Sequence, residues 1–70
     1  MDDLAEAPEA IDKEAGIRVT RKLARLGLYP PEKIAELVDE ALKEAEPRRN
    51  ARRRARSLVT WLRSKGHPIP

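Results

Sequence analysis

Six arginines fall within nine consecutive positions, Arg48-Arg49-Asn50-Ala51-Arg52-Arg53-Arg54-Ala55-Arg56, and Arg63 follows two helical turns further on. A guanidinium is permanently charged and presents a planar fork of donors that matches the paired oxygens of a phosphate or carboxylate. Packed this densely on a helix, the same groups repel one another at i,i+3 and i,i+4. Such a helix gains when an anion lies across it, and nucleic-acid phosphate is the commonest polyanion that does so. The expected phosphate-contacting set is therefore Arg49, Arg52, Arg53, Arg54, Arg56 and Arg63, with Arg18, Lys22 and Arg25 as a second patch. DNA or RNA is the expected partner. Asn50 has the chemistry to read adenine, but an asparagine at a helix start ordinarily makes a local hydrogen bond. Trp61 falls beside the apolar stripe, on the side of Arg54 and Ser57. It reads either as a ring closing the edge of the core or as an exposed interaction anchor.

Other chemistry finds little support. The chain has no cysteine and one histidine, so disulfide staples, thiolate metal sites and histidine clusters are excluded. His67 has neither a carboxylate nor a second histidine at useful spacing and is expected in solvent. The three glycines, Gly16, Gly27 and Gly66, are isolated and form no phosphate loop. The acids Glu32, Glu36, Asp39, Glu40 and Glu44 belong to the outer face of an amphipathic segment. With 70 residues, the core leaves no room for a desolvated pocket that shifts a pKa. No enzyme activity, cofactor or metal is expected. The start MDDLAEAPE is acidic where a secretory signal is basic, and no apolar run spans a bilayer. A cytoplasmic protein without membrane contact is the expectation.

The net charge of +3 conceals four alternating blocks. Residues 1–15 carry −5, residues 16–30 carry +4, residues 31–46 carry −4 and residues 47–70 carry +8. Two explanations compete. Acidic segments lying beside basic ones would pair within the fold, whereas an uncompensated block would form a polyanion-binding surface. The last block exceeds the acids available to neutralise it. The main alternative function is a protein–protein adaptor or inhibitor acting through a helix face or the acidic start, which would then mask the arginine helix.

Three segments must position these residues. Their apolar positions recur at helical spacing and no stretch alternates as a strand does, so the fold class expected is all-α: a small three-helix domain, a helix hairpin plus a C-terminal arginine-rich helix. The first helix is predicted over 12–26, with Val19, Leu23 and Leu26 inward, Asp12 as N-cap and Gly27 as stop. Gly16 weakens it and favours a start nearer Ile17. The second begins at Pro31 and carries Ile34, Leu37, Val38, Ala41, Leu42 and Ala45 inward until Pro47. The third is predicted over 48–65, with Ala51, Ala55, Leu58, Val59 and Leu62 on one arc and Gly66 at its end. Residues 1–10 are expected to form a flexible acidic arm, leaving 11–67 as one domain whose small core favours homodimerisation.

The stretch Arg25-Leu26-Gly27-Leu28-Tyr29-Pro30-Pro31-Glu32-Lys33-Ile34, continued by Leu37-Val38-Asp39-Glu40-Ala41-Leu42, resembles one helical repeat of the RecX recombination regulators. In those proteins a helix, a glycine-aromatic corner and a second helix recur. The resemblance implies the same corner here. It covers under half of the chain, the arginine-dense third segment departs from it, and no function is carried over from it.

Overall fold

Proline sets the start of the first two helices. Ala7 is extended (φ −63, ψ 143), Pro8 takes the first turn and Glu9 complements the helix dipole there, giving α1, Pro8–Leu26. The first bond of this helix runs from the Ile11 N–H to the Ala7 carbonyl, 3.0 Å. Pro30 is extended and Pro31 opens α2, Pro31–Glu44. The third helix, α3, is Ala51–Ser64, and there Asn50 is the N-cap, its Oδ1 accepting the Arg53 N–H at 2.9 Å. These elements come from a computed structural model that describes residues 7–70. All regular structure among the described residues is helical.

Several boundaries differ from those predicted. Because Pro8 pre-sets the helical φ, α1 starts a turn before Asp12, so Asp12 lies inside the helix and is not its cap. Residues 8–10 are thus helical, not part of an arm, and residues 1–6 lie outside the described residues. Arg48 and Arg49 precede α3, because Asn50 caps it, and Pro47 sits in the connection. Gly27 is left-handed (φ 70, ψ 21) and stops α1 as predicted. Gly66 (φ 96) follows α3, where the Gly66 N–H reaches the Arg63 carbonyl and the His67 N–H reaches the Leu62 carbonyl. That pair of bonds is a Schellman turn. It sends the tail back over the bundle, where Ile69 is buried and its carbonyl accepts from Arg63 Nε at 2.7 Å. The domain therefore extends past 67.

The core is shared by all three helices: Ile11, Ala15, Val19 and Leu23 from α1, Ile34, Leu37, Val38 and Ala41 from α2, Ala51, Leu58, Val59 and Leu62 from α3. Leu26, Leu42, Ala55, Tyr29 and Trp61 pack around it, half-buried. Tyr29 closes the α1–α2 corner and its hydroxyl lies 2.8 Å from His67 Nδ1, with the two rings edge to face. His67 is thus half-buried against a partner, contrary to the solvent position expected of it. Asp12 near the start of α1 meets α3 near its start, and the corner after α1 meets the tail after α3. The two helices therefore run in the same direction, side by side.

One arginine belongs to the core. Arg54 is only 3% exposed. Its Nε donates to Asp12 Oδ1 at 2.8 Å, Nη1 to the carbonyls of Ala45 and Glu46 at 2.8 Å each, and Nη2 to the Leu42 carbonyl at 2.7 Å. The chain leaves α2 in an extended conformation at Ala45, without a left-handed glycine to return its N–H groups to the last carbonyls. Arg54 fills that role from another helix. The expectation that it contacts phosphate is corrected: four of its five N–H donors are engaged inside the fold.

Gly16 faces α2 within α1. A Cβ there would lie 3.5 Å from Val38 Cγ1 and 3.6 Å from Leu42 Cδ1, ordinary contact distances. The helix continues through this glycine at the usual conformational cost, and alanine removes that cost without a clash. Gly16→Ala is expected to stabilise the domain by about 0.5–1 kcal/mol, raising the midpoint of a circular-dichroism melt by several degrees; a lower midpoint would contradict the packing. Arg54→Met leaves the Leu42 and Ala45 carbonyls and the Asp12 carboxylate without this donor, while the Glu46 carbonyl keeps its bond from Ser57 Oγ. It should cost about 2 kcal/mol or more, chiefly from the carbonyls left unsatisfied, and lower the midpoint of a chemical-denaturation curve. Arg54→Lys, lacking the fork, should recover only part of that in chemical denaturation.

Candidate polyanion-binding grooves

The rotation of α3 about its axis follows from what it buries. With Arg54, Leu58 and Leu62 inward, the positions about 140° further round, Arg52, Arg56 and Arg63, come out on the flank facing α1. On α1, Val19 is buried and its neighbours Arg18 and Lys22 emerge on the flank facing α3. Between the helices runs a groove of about 410 Å³ lined by Arg18, Lys22, Arg52, Arg56 and Arg63, with Val19, Ala55, Val59 and Thr60 between them. Among the described residues, five bases and no acid line it. The two patches read separately in the sequence thus form one surface. Arg25 is exposed near the end of α1 and does not line this groove.

The other flank of α3 is different. A second groove of about 620 Å³ is lined by Arg48, Arg53, Arg56, Ser57, Thr60, Trp61 and Ser64, together with Glu44, Ala45 and Glu46 from the end of α2. Trp61 is half-buried: it packs against the edge of the core and also lines the groove. Lys65 Nζ lies 5.4 Å from its ring centroid, a cation–π distance. Ser57 Oγ donates to the Glu46 carbonyl at 2.6 Å, and Ser64 Oγ to the Trp61 carbonyl. Arg49 lies in the connection before α3 and lines a third recess with Pro47, Arg48, Asn50 and Arg53. Asn50 has its side-chain oxygen committed to the cap. Thr60, overlooked in the sequence, lies with Arg56 on the ridge between the two grooves that flank α3.

Intramolecular neutralisation is local and sparse. Among the described residues, Arg18 pairs with Glu14 at 3.1 Å, Lys33 with Glu36, Lys43 with Asp39 and Arg48 with Glu46. These pairs are exposed, and such pairs contribute little. No acid of α2 reaches Arg49, Arg52, Arg53, Arg56 or Arg63 within ion-pair distance among the described residues. Arg52, Arg53 and Arg54 also crowd the first turn of α3, which carries no acid of its own. No helix among the described residues is long and apolar enough to cross a membrane.

Compared with known proteins, the chain matches no family model, no curated protein and no solved structure. The corner from Gly27 to Pro31 joins α1 to α2 as a helix–corner–helix.

Arg52 and Arg56 stand four residues apart on one helix face and repel each other. Replacing Arg56 by glutamine should therefore stabilise the unliganded domain by about 0.3 kcal/mol at low ionic strength. Thermal melts at low and high salt check this: the gain should shrink as salt screens the repulsion, and destabilisation at low salt would show that Arg56 has an acidic partner.

Proposed function

We propose that this chain is a small helical nucleic-acid-binding protein that holds a phosphate backbone in the groove between α1 and α3. Arg18, Lys22, Arg52, Arg56 and Arg63 contact the phosphates, and Arg49 and Arg53 extend the positive surface past the start of α3. The observation that carries this reading is the convergence of five bases from two helices on one groove that, among the described residues, no acid lines. Like charges brought together by folding raise the energy of the free protein, and an anion bound there lowers it again. The guanidinium forks suit phosphate oxygens. The Arg63 Nε is held by the Ile69 carbonyl, which fixes the side chain and leaves its terminal nitrogens for a ligand.

Binding through phosphates carries a defined salt signature. Fluorescence anisotropy with labelled DNA and RNA, single-stranded and duplex, should show affinity falling steeply between about 50 and 200 mM salt, with a log–log slope of roughly −3 to −5 if most of the five bases each neutralise one phosphate. Arg52→Gln and Arg56→Gln should each reduce that slope by about one and, combined, weaken binding about tenfold or more at low salt. The same change at Lys33 on α2, away from the groove, should leave affinity nearly unchanged. Failure to bind any of these nucleic acids at low salt would overturn the proposal.

A further inference from the structure

We infer that the ligand is a single strand, whose bases cross the Arg56–Thr60 ridge and stack on Trp61. This rests on the phosphate-binding reading and adds the form of the nucleic acid to it. The two grooves flanking α3 differ in chemistry but share Arg56 and Thr60. On the α1 side the lining is cationic, as a phosphate backbone requires. On the far side the chain's only tryptophan lies among the hydroxyl-bearing residues Ser57, Thr60 and Ser64. That second groove is of mixed charge, lined by Arg48, Arg53 and Arg56 together with Glu44 and Glu46, and Arg48 is paired with Glu46, so it attracts phosphates less than the α1-side groove and leaves the ring to uncharged bases.

A duplex does not fit this division. Its bases are paired inside the stack, and its outer surface presents phosphates to both flanks of any helix that docks on it. A single strand separates the two: phosphates on one side, π-faces on the other, and an aromatic ring accepts any base face without sequence preference. The Trp61 ring already holds a cation, Lys65 Nζ, near its centroid. That ammonium sits on a flexible stem and is free to move to a phosphate when a base takes its place. Arg52 to Arg63 spans about 16 Å along the axis of α3, enough for roughly five nucleotides at the rise of a stacked strand.

The test uses the full chain and its intrinsic tryptophan emission. Titration with oligo-dT and oligo-U of about 12 nucleotides should change Trp61 emission, and either strand should bind more tightly than a duplex of equal length. Trp61→Leu should weaken single-strand binding about tenfold, and Trp61→Phe, which keeps a π-face, should retain most of it. The wild-type emission is read without any substitution, so an unstable Trp61→Leu chain leaves the test intact. Equal or tighter duplex binding, unchanged emission at saturation, or a folded Trp61→Leu chain with wild-type affinity would each overturn the single-strand inference while the phosphate-binding groove stood. Absence of binding by every nucleic acid at low salt would remove both.

Discussion

The buried guanidinium of Arg54 ties the three helices together. It reaches from the first turn of α3 to the carboxylate of Asp12 on α1 and to three carbonyls around the end of α2. Each of those acceptors would otherwise be a cost: the carbonyls because α2 ends without a glycine turn, the buried cation because a charge out of water needs a counter-charge. The Asp12 side chain remains 42% exposed, so the pair is only partly desolvated. The same contact sets the rotation of α3. With Arg54 pointing inward, Arg52, Arg56 and Arg63 turn toward α1 and Arg53 toward the opposite groove.

This arrangement places attraction and repulsion at different depths. The core and Arg54 hold α1 and α3 side by side, although the outward flanks of both helices are positive. The acids of α2 do not relieve that repulsion; its ion pairs are with its own lysines, one turn away. A small domain has little stability in reserve, so retaining a groove lined by five bases is a real cost to the free protein. That cost is the physical basis for assigning the groove to an anion. The alternation of charge along the chain now has a geometric meaning: the two positive blocks meet, because they belong to parallel neighbouring helices, and no residue of the acidic block between them lines the groove they form, although Glu44 and Glu46 border the other flank of α3.

Much of the helical framework is legible in the residues themselves. Pro31, the apolar spacing from Ile34 to Ala41, and Gly27 and Gly66 act over one or two turns, and their effects appear where the chemistry puts them. Arg54 is the instructive exception. It lies four residues before Leu58 and eight before Leu62, so periodicity alone places it on the buried face. Its residue type argued for solvent, and the acceptors that reverse the argument, Asp12, Leu42, Ala45 and Glu46, are distant in sequence. Ile69 and the Tyr29–His67 contact were hidden for the same reason, since both depend on a tail turned back by the geometry after α3.

The sequence by itself determined that there are three helices, where prolines and glycines break them, and that an excess of arginine resides on the last. Those properties follow from backbone restriction and from a local period of 3.6 residues, which every residue reports through its near neighbours. Only the tertiary structure decided which arginine is a structural cap and which line a groove. It alone joined Arg18 and Lys22 to Arg52, Arg56 and Arg63, and set Trp61 on the opposite flank. Those outcomes depend on the rotation and lateral order of helices, and they are set by contacts between residues some forty positions apart, such as Asp12 with Arg54, that no local pattern records.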